Sequence, residues 1–182
     1  MNAFASVRLA CITVLGTGYI PIAPATWSSA LSILLFMPLW FMAAATGQRL
    51  LMESTLFVAI ALASALAVQW GPWAIRHFGR RDPRPFTLDE FAGQWLSLIL
   101  LPIDYGAPLN SLVAVLVSQF LFFRFFDISK MPPGKQLERL PDGTGILADD
   151  LCAGVYANLA GQLLWRVTPL AAWLGLELGG VR

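Results

Sequence analysis

The sequence predicts an all-α fold: a multi-pass integral membrane helical bundle of about 4–5 hydrophobic helices, some of them short or re-entrant. Three observations predict it. The 182-residue chain is 57% hydrophobic and 13% charged, with a mean hydropathy of +0.67, whereas an average globular chain is about 25% charged. Its charges leave long gaps that contain none at all. The remaining polar residues fall into compact clusters beside those gaps. Residues 1–182 form a single domain by length, within the usual range of about 100–200 residues. This composition excludes disorder, and the formal net charge of +1 gives nucleic acid no footing as a partner. Cys11 and Cys152 both lie in apolar surroundings and read as buried thiols, too few for a disulfide scaffold.

Residues 9–48 carry no Asp, Glu, Lys, Arg or His, and Ala30 to Ala45 is the continuous apolar run ALSILLFMPLWFMAAA. Ser54 to Ile75 is a second uncharged stretch, Phe91 to Ile103 a third, Tyr105 to Phe123 a fourth and Leu151 to Trp165 a fifth. Crossing about 30 Å of hydrocarbon takes roughly 20 apolar residues. The second and fourth stretches reach that length and the first nearly does. The third offers only 13 residues between Glu90 and Asp104, about 20 Å of helix. It crosses only if its charged ends dip into the membrane boundary or face a shared polar cavity. The fifth is also short and begins beside Asp149 and Asp150. Carboxylates at the ends of short helices point to a bundle hollowed on one side. Residues 1–25 do not read as a cleavable signal peptide, because Gly16, Gly18, Pro21 and Pro24 interrupt the apolar run.

With the N-terminus inside and five alternating segments, residues 1–29, 76–90 and 124–150 are cytoplasmic. They hold nine of the 12 cations, against Arg49, Arg166 and Arg182 outside, which supports this orientation. The same threading gathers eight of the 11 acidic residues inside.

Four polar clusters then face the same side. In GTGYIPIAPATWSS, residues 16–29, Gly16 and Gly18 permit close backbone approach. The hydroxyls of Thr26, Ser28 and Ser29 can cap a helix whose N-terminus receives an anion. Gly18 and Thr26 are therefore candidate phosphate contacts, although ordinary capping explains this cluster as well. In TLDEFAG, residues 87–93, Thr87 and Glu90 have the spacing of a capping box, which leaves Asp89 unassigned. In FFRFFDISKMPP, residues 122–133, Arg124, Asp127 and Lys130 recur every three residues and share one helical stripe. Anchoring at the headgroups accounts for the two cations but not for Asp127. In DGTGILADDLCAG, residues 142–154, Asp149 and Asp150 are adjacent carboxylates that repel unless they face apart or share a cation.

Together these residues make a chemical inventory. Asp89, Glu90, Asp127, Asp149 and Asp150, without Cys or His partners, suit a hard oxygen-seeking ion, Mg²⁺ before Zn²⁺. The lone histidine, His77, reads as an interfacial residue. Arg124 and Lys130 make a phosphate clamp, Arg124 by forked hydrogen bonds and Lys130 as a point charge. A divalent-ion site beside a cationic clamp at membrane depth describes phosphoryl chemistry on a lipid headgroup.

Four motifs occur in order: Gly16-x-Gly18-x-x-Pro21-x-x-Pro24-x-Thr26, Asp89-Glu90-Phe91-x-Gly93-x-Trp95 with Pro102 beyond, Arg124-x-x-Asp127-x-x-Lys130, and Gly143-x-Gly145-x-x-x-Asp149-Asp150-x-x-Ala153-Gly154. In these the sequence resembles the phosphatidylglycerophosphatase A family, over roughly residues 12–160. Members are bacterial Mg²⁺-dependent phosphatases that make phosphatidylglycerol from its 3-phosphate. Ala25 stands where the family commonly has Gly, and Lys130 is followed by Met131 where a proline is usual. Neither departure removes an ionisable group. The resemblance implies an all-helical fold, metal binding by the acidic motifs, and a multi-pass protein of the bacterial inner membrane whose site faces the cytoplasm.

On this reading Arg124 and Lys130 offset phosphoryl charge, and Asp127 or Asp149 serves as nucleophile or base. Two other functions share parts of the pattern. A cation transporter or channel component also carries intramembrane acids, but spreads them through the membrane depth. A lipid phosphotransferase would replace water with a second alcohol.

Overall fold

The computed structural model describes residues 3–178, apart from the side chains of residues 3, 4 and 142. Arg182 and the Asp142 side chain, both counted above in the charge balance, lie outside the described residues. Helix α1 (Ala3–Ile12) leads through a 3₁₀ turn (Thr17–Tyr19) into α2 (Pro24–Thr46) and α3 (Arg49–Phe78). Helices α4 (Leu88–Ser97), α5 (Leu109–Ser129), α6 (Gly134–Leu137), α7 (Asp142–Val167) and α8 (Leu170–Trp173) follow. Among the described residues there is no strand.

Three helices, α2, α3 and α5, are long and apolar enough to cross a membrane. Pro24 opens α2, where a missing N–H costs nothing, and Gly47 ends it at a φ of 70°. Gly79 likewise ends α3 and donates its N–H to the Ile75 carbonyl. Leu34, Phe41, Phe57, Leu62, Val117, Leu121 and Phe125 are exposed along these helices. Such side chains suit hydrocarbon and not water.

Helix α4 is the centre of the bundle, packed against α2, α3, α5 and α7. None of its ten residues is exposed. The third uncharged stretch therefore forms only three turns of helix, and then the chain unwinds through Leu98–Leu100, with Leu100 at a φ of 52°. Side chains of neighbouring helices satisfy that unwound backbone. Asn158 Nδ2 donates to the Ser97 and Ile99 carbonyls at 3.1 and 2.7 Å, and Gln162 Nε2 to Leu100 at 2.6 Å. The Leu100 N–H donates to Glu53 Oε2 at 3.2 Å, and Arg49 reaches the Leu101 carbonyl at 3.1 Å. Irregular backbone inside a membrane protein requires this kind of internal pairing.

Close approach fixes how α4 lies on α7. A Cβ on Gly154 would stand 2.4 Å from the Gly93 carbonyl oxygen, and one on Gly93 would stand 2.6 Å from both the Asp150 carbonyl and the Phe123 ring. Small residues let the backbones touch, and they set the depth of Glu90 against Asp150. At the other end of α4, Ser28 Oγ donates to the Thr87 carbonyl at 3.2 Å, and the Thr87 N–H donates to Ile12 at 2.8 Å.

Several local expectations are corrected. The capping box does not form: Thr87 Oγ1 is buried without a partner, and Asp89 Oδ1 instead accepts the Glu90 N–H at 3.0 Å. Thr26, Ser28 and Ser29 do not cap α2, because Pro24 starts the helix before them and Ala23 occupies the cap position. Asp149 and Asp150 are not first-turn residues, because α7 begins at Asp142 after Pro141 and takes Gly143 and Gly145 into the helix. Cys11 and Cys152 are free thiols but only partly buried. His77 stacks on Trp73, with ring centroids 4.6 Å apart.

Candidate active site

A cavity of about 530 Å³ opens where the N-terminal ends of α2, α4 and α7 meet the C-terminal end of α5. Each contributes for a local reason. The tight α4–α7 contact brings Glu90 and Asp150 to one level. The three-residue spacing on α5 turns Arg124, Asp127 and Lys130 toward them, and Lys130 ends that helix at a φ of 46°. The loop between α3 and α4 adds Asp82 and Arg84, and the segment before α7 adds Glu138 and Arg139.

At the floor of the cavity, Glu90, Asp127 and Asp150 each offer a carboxylate oxygen, all within 4.8 Å of one another. Glu90 and Asp150 are 8% and 4% exposed, so these acids are not solvated surface groups. Arg124 threads between them. Its Nη1 lies 2.6 Å from Glu90 Oε2 and its Nη2 lies 3.0 Å from Asp127, while its Nε is buried without a partner. Ser29 Oγ also reaches Glu90 Oε2, at 3.5 Å. Asp150 Oδ2 is buried with no partner. Like charges this close repel in a low-dielectric site, and one guanidinium does not neutralise three carboxylates.

Asp149 and Asp150 resolve their repulsion by facing apart. Asp150 joins the cluster, and Asp149 takes Lys130 at 3.1 Å. Lys130 also reaches Glu138 at 2.9 Å. Burial disfavours the Lys130 charge, but hydrogen bonds to Glu138 and Asp149 outweigh it and hold the ammonium above its ordinary range. Lys130 therefore stays charged through neutral pH and cannot act as a base. Burial raises the Asp82 carboxyl in the loop, with Lys130 opposing the shift.

Asp89, Glu90, Arg124, Asp127, Lys130, Asp149 and Asp150 thus all line one cavity, as the sequence led us to expect. Gly18 and Thr26, expected at the phosphate, are not among its lining residues. A Cβ on Gly18 would stand 2.1 Å from the Pro85 carbonyl oxygen, so its bare backbone serves packing against the α3–α4 loop. From that part of the chain Ala23, Pro24 and Ala25 reach the cavity wall instead. Glu138, Arg81, Arg84 and Arg139 line the cavity as well, and no motif in the sequence marks them. Their one signal was membership of the charged loops on the expected inner side.

An all-helical membrane bundle with buried carboxylates facing held cations in one cavity defines a class: membrane enzymes that handle phosphate esters. Residues 10–165 match the family model described as phosphatidylglycerophosphatase A, and the chain belongs to that family, whose members are phosphoric monoester hydrolases. It is 27% identical over 141 residues to phosphatidylglycerophosphatase A of Escherichia coli K12, covering 77% of this chain and 73% of the relative. It is 29% identical over 143 residues to the protein of that name in Haemophilus influenzae Rd, covering 78% of each. It is also 28% identical over 149 residues to a Bacteroides thetaiotaomicron protein provisionally named phosphatidylinositol-3-phosphatase, covering 80% of this chain and 85% of the relative. No solved structure matches the chain. Membership supports phosphatase activity toward phosphatidylglycerophosphate in a membrane.

Proposed function

We propose that the protein hydrolyses phosphatidylglycerophosphate to phosphatidylglycerol and inorganic phosphate with Mg²⁺, at the cytoplasmic face of a bacterial inner membrane, in glycerophospholipid synthesis. One observation carries the reading: the meeting of Glu90, Asp127 and Asp150 within 4.8 Å, beside Arg124. The donor set fits the ion. It is all oxygen, no thiol or imidazole lines the cavity, and Asp150 Oδ2 lacks a partner. Glu90, Asp127 and Asp150 would hold Mg²⁺, with Asp89 and Asp149 at the margin. When bound, Mg²⁺ polarises a phosphate oxygen and offsets the charge of the three acids.

The chain's own groups do the remaining work. Arg124, its two terminal nitrogens already oriented by Glu90 and Asp127, meets the developing charge on the phosphoryl oxygens. Lys130 fixes Asp149, which accepts a proton from the attacking water. The phosphorus–oxygen bond to glycerol breaks, water supplies the new oxygen on phosphorus, and the proton ends on the departing glycerol oxygen. Direct attack leaves no phosphoprotein. A route with Asp127 or Asp149 as nucleophile leaves an acyl phosphate that hydroxylamine discharges.

The cytoplasmic assignment is supported by the cation bias, nine of 12 on that side. Gathering of the acids in one cavity at one end of the helices disfavours an ion pathway. The test is phosphate release by detergent-purified protein from phosphatidylglycerophosphate, phosphatidic acid and phosphatidylinositol 3-phosphate. Turnover of the first with Mg²⁺, lost on chelation and restored by the ion, is the expected result. No release, or release indifferent to chelation, overturns it. Added glycerol leaves the product unchanged for a hydrolase and is phosphorylated by a phosphotransferase.

A further inference from the structure

Five cations line the cavity, and they divide by what they touch. Arg124 is held by Glu90 and Asp127, and Lys130 by Glu138 and Asp149. Arg81 donates through Nη2 to the carbonyls of Arg139 and Leu140 at 3.1 and 3.4 Å, tying the α3–α4 loop to the segment before α7. That tie sets Arg139 beside the loop that carries Arg84. Both are exposed side chains lining the cavity, and among the described residues no carboxylate pairs with either. The cavity is therefore graded, with buried acids at the floor and unclaimed guanidinium groups at the mouth.

We infer that Arg84 and Arg139 form a second anion subsite, which holds the phosphodiester of the lipid while its terminal phosphomonoester lies at Arg124. The inference rests on the proposed function, whose substrate carries two phosphates separated by a glycerol. One phosphate does not need 530 Å³; that volume lies within the roughly 300–1,000 Å³ of pockets that take a whole small ligand. Guanidinium is suited to the task, because its fork matches two phosphate oxygens where an ammonium meets them as a point. The shelf makes this a phosphatase for lipids whose headgroup bears a monoester beyond a diester. It gives no grip on phosphatidic acid, whose one phosphate is the one removed.

The test uses Arg84→Gln, Arg139→Gln and the double variant in mixed micelles of fixed surface charge, with two inhibitors that each probe one subsite. Phosphatidylglycerol keeps the diester and lacks the monoester, and inorganic phosphate mimics the monoester alone. In the double variant, KM for phosphatidylglycerophosphate and Ki for phosphatidylglycerol rise about tenfold. Meanwhile kcat stays within about twofold, Ki for phosphate is unchanged, and Arg→Lys at both positions recovers part of the loss. An unchanged Ki for phosphatidylglycerol, a fall in kcat at constant KM, or an equal shift for both inhibitors refutes the subsite. Direct binding of phosphatidylglycerol, read by tryptophan fluorescence, needs no turnover. An inactive wild type whose binding still depends on the two arginines defeats the proposed reaction alone, while equal binding by all proteins defeats the shelf.

Discussion

Gly93→Ala puts a methyl group where α4 meets α7. It would lie 2.6 Å from both the Asp150 carbonyl and the Phe123 ring, where ordinary contact begins at 3.4 Å, so the helices must part by about 0.8 Å. The obstructing peptide belongs to Asp150 itself, and Glu90 lies one turn before Gly93, so parting opens the carboxylate cluster directly. Overpacking of this kind costs about 1–3 kcal/mol of stability. A misplacement approaching 1 Å at reacting groups costs about 10²-fold in rate. The expected outcome is a lower Tm together with about 10²-fold slower phosphate release per folded molecule, measured in mixed micelles with phosphatidylglycerophosphate. Gly106→Ala, with nothing within 4 Å of the new methyl, serves as the neutral control. Gly93→Ala protein with wild-type turnover and Tm would show that the helix contact does not set the site.

Glu90→Gln, Asp127→Asn and Asp150→Asn should each slow phosphate release by about 10²-fold or more at saturating Mg²⁺; near-normal turnover in all three defeats the assignment of the cluster. Glu53→Ala should lower stability by about 1–3 kcal/mol, because the Leu100 N–H loses its acceptor. Turnover per folded molecule should be unaffected, since Glu53 lies at the other end of α4; denaturation and activity measured on the same samples separate the two. Lys130 is held charged well past neutrality by Glu138 and Asp149. Lys130→Arg should therefore leave the shape of the pH–rate profile between about pH 6 and 9 intact, and a displaced alkaline limb would assign that limb to Lys130.

The reach of the sequence differs between the fold and the site. Charge gaps located α2, α3 and α5, because hydrocarbon excludes charge over a length that simple counting measures. The acids and the Arg124–Asp127–Lys130 stripe were legible for the opposite reason: ionisable groups beside apolar helices need partners, and Asp127 had no bland explanation. Helix starts were not legible. Helix α2 starts at Pro24 and α7 at Asp142, just after Pro141, both well before their apolar runs, and the early start of α7 puts Asp149 and Asp150 in a helix interior and not at a helix end. Gly18 and Thr26 lie outside the cavity lining; for Gly18 the reason is that a glycine needed for close approach looks the same whether the approaching group is phosphate or the Pro85 carbonyl. The supports of α4, Asn158 and Gln162, were invisible, since they answer an unwound turn that only the folded backbone creates.

The three turns of α4 are walled off by their neighbours, with none of its ten residues exposed. Because α4 is sheathed by its neighbours and moored at both ends, bilayer thickness acts first on the outer helices. Asp89 and Glu90 hang from this inner peg, whereas Asp127 rides on α5, whose outer face is exposed, so a tilt of α5 in a thinner or thicker membrane moves Asp127 against Glu90. Turnover should therefore depend on acyl length across phosphatidylcholine bilayers, falling where α5 reorients; turnover indifferent to a measured reorientation of α5 would show that the cluster moves as one body.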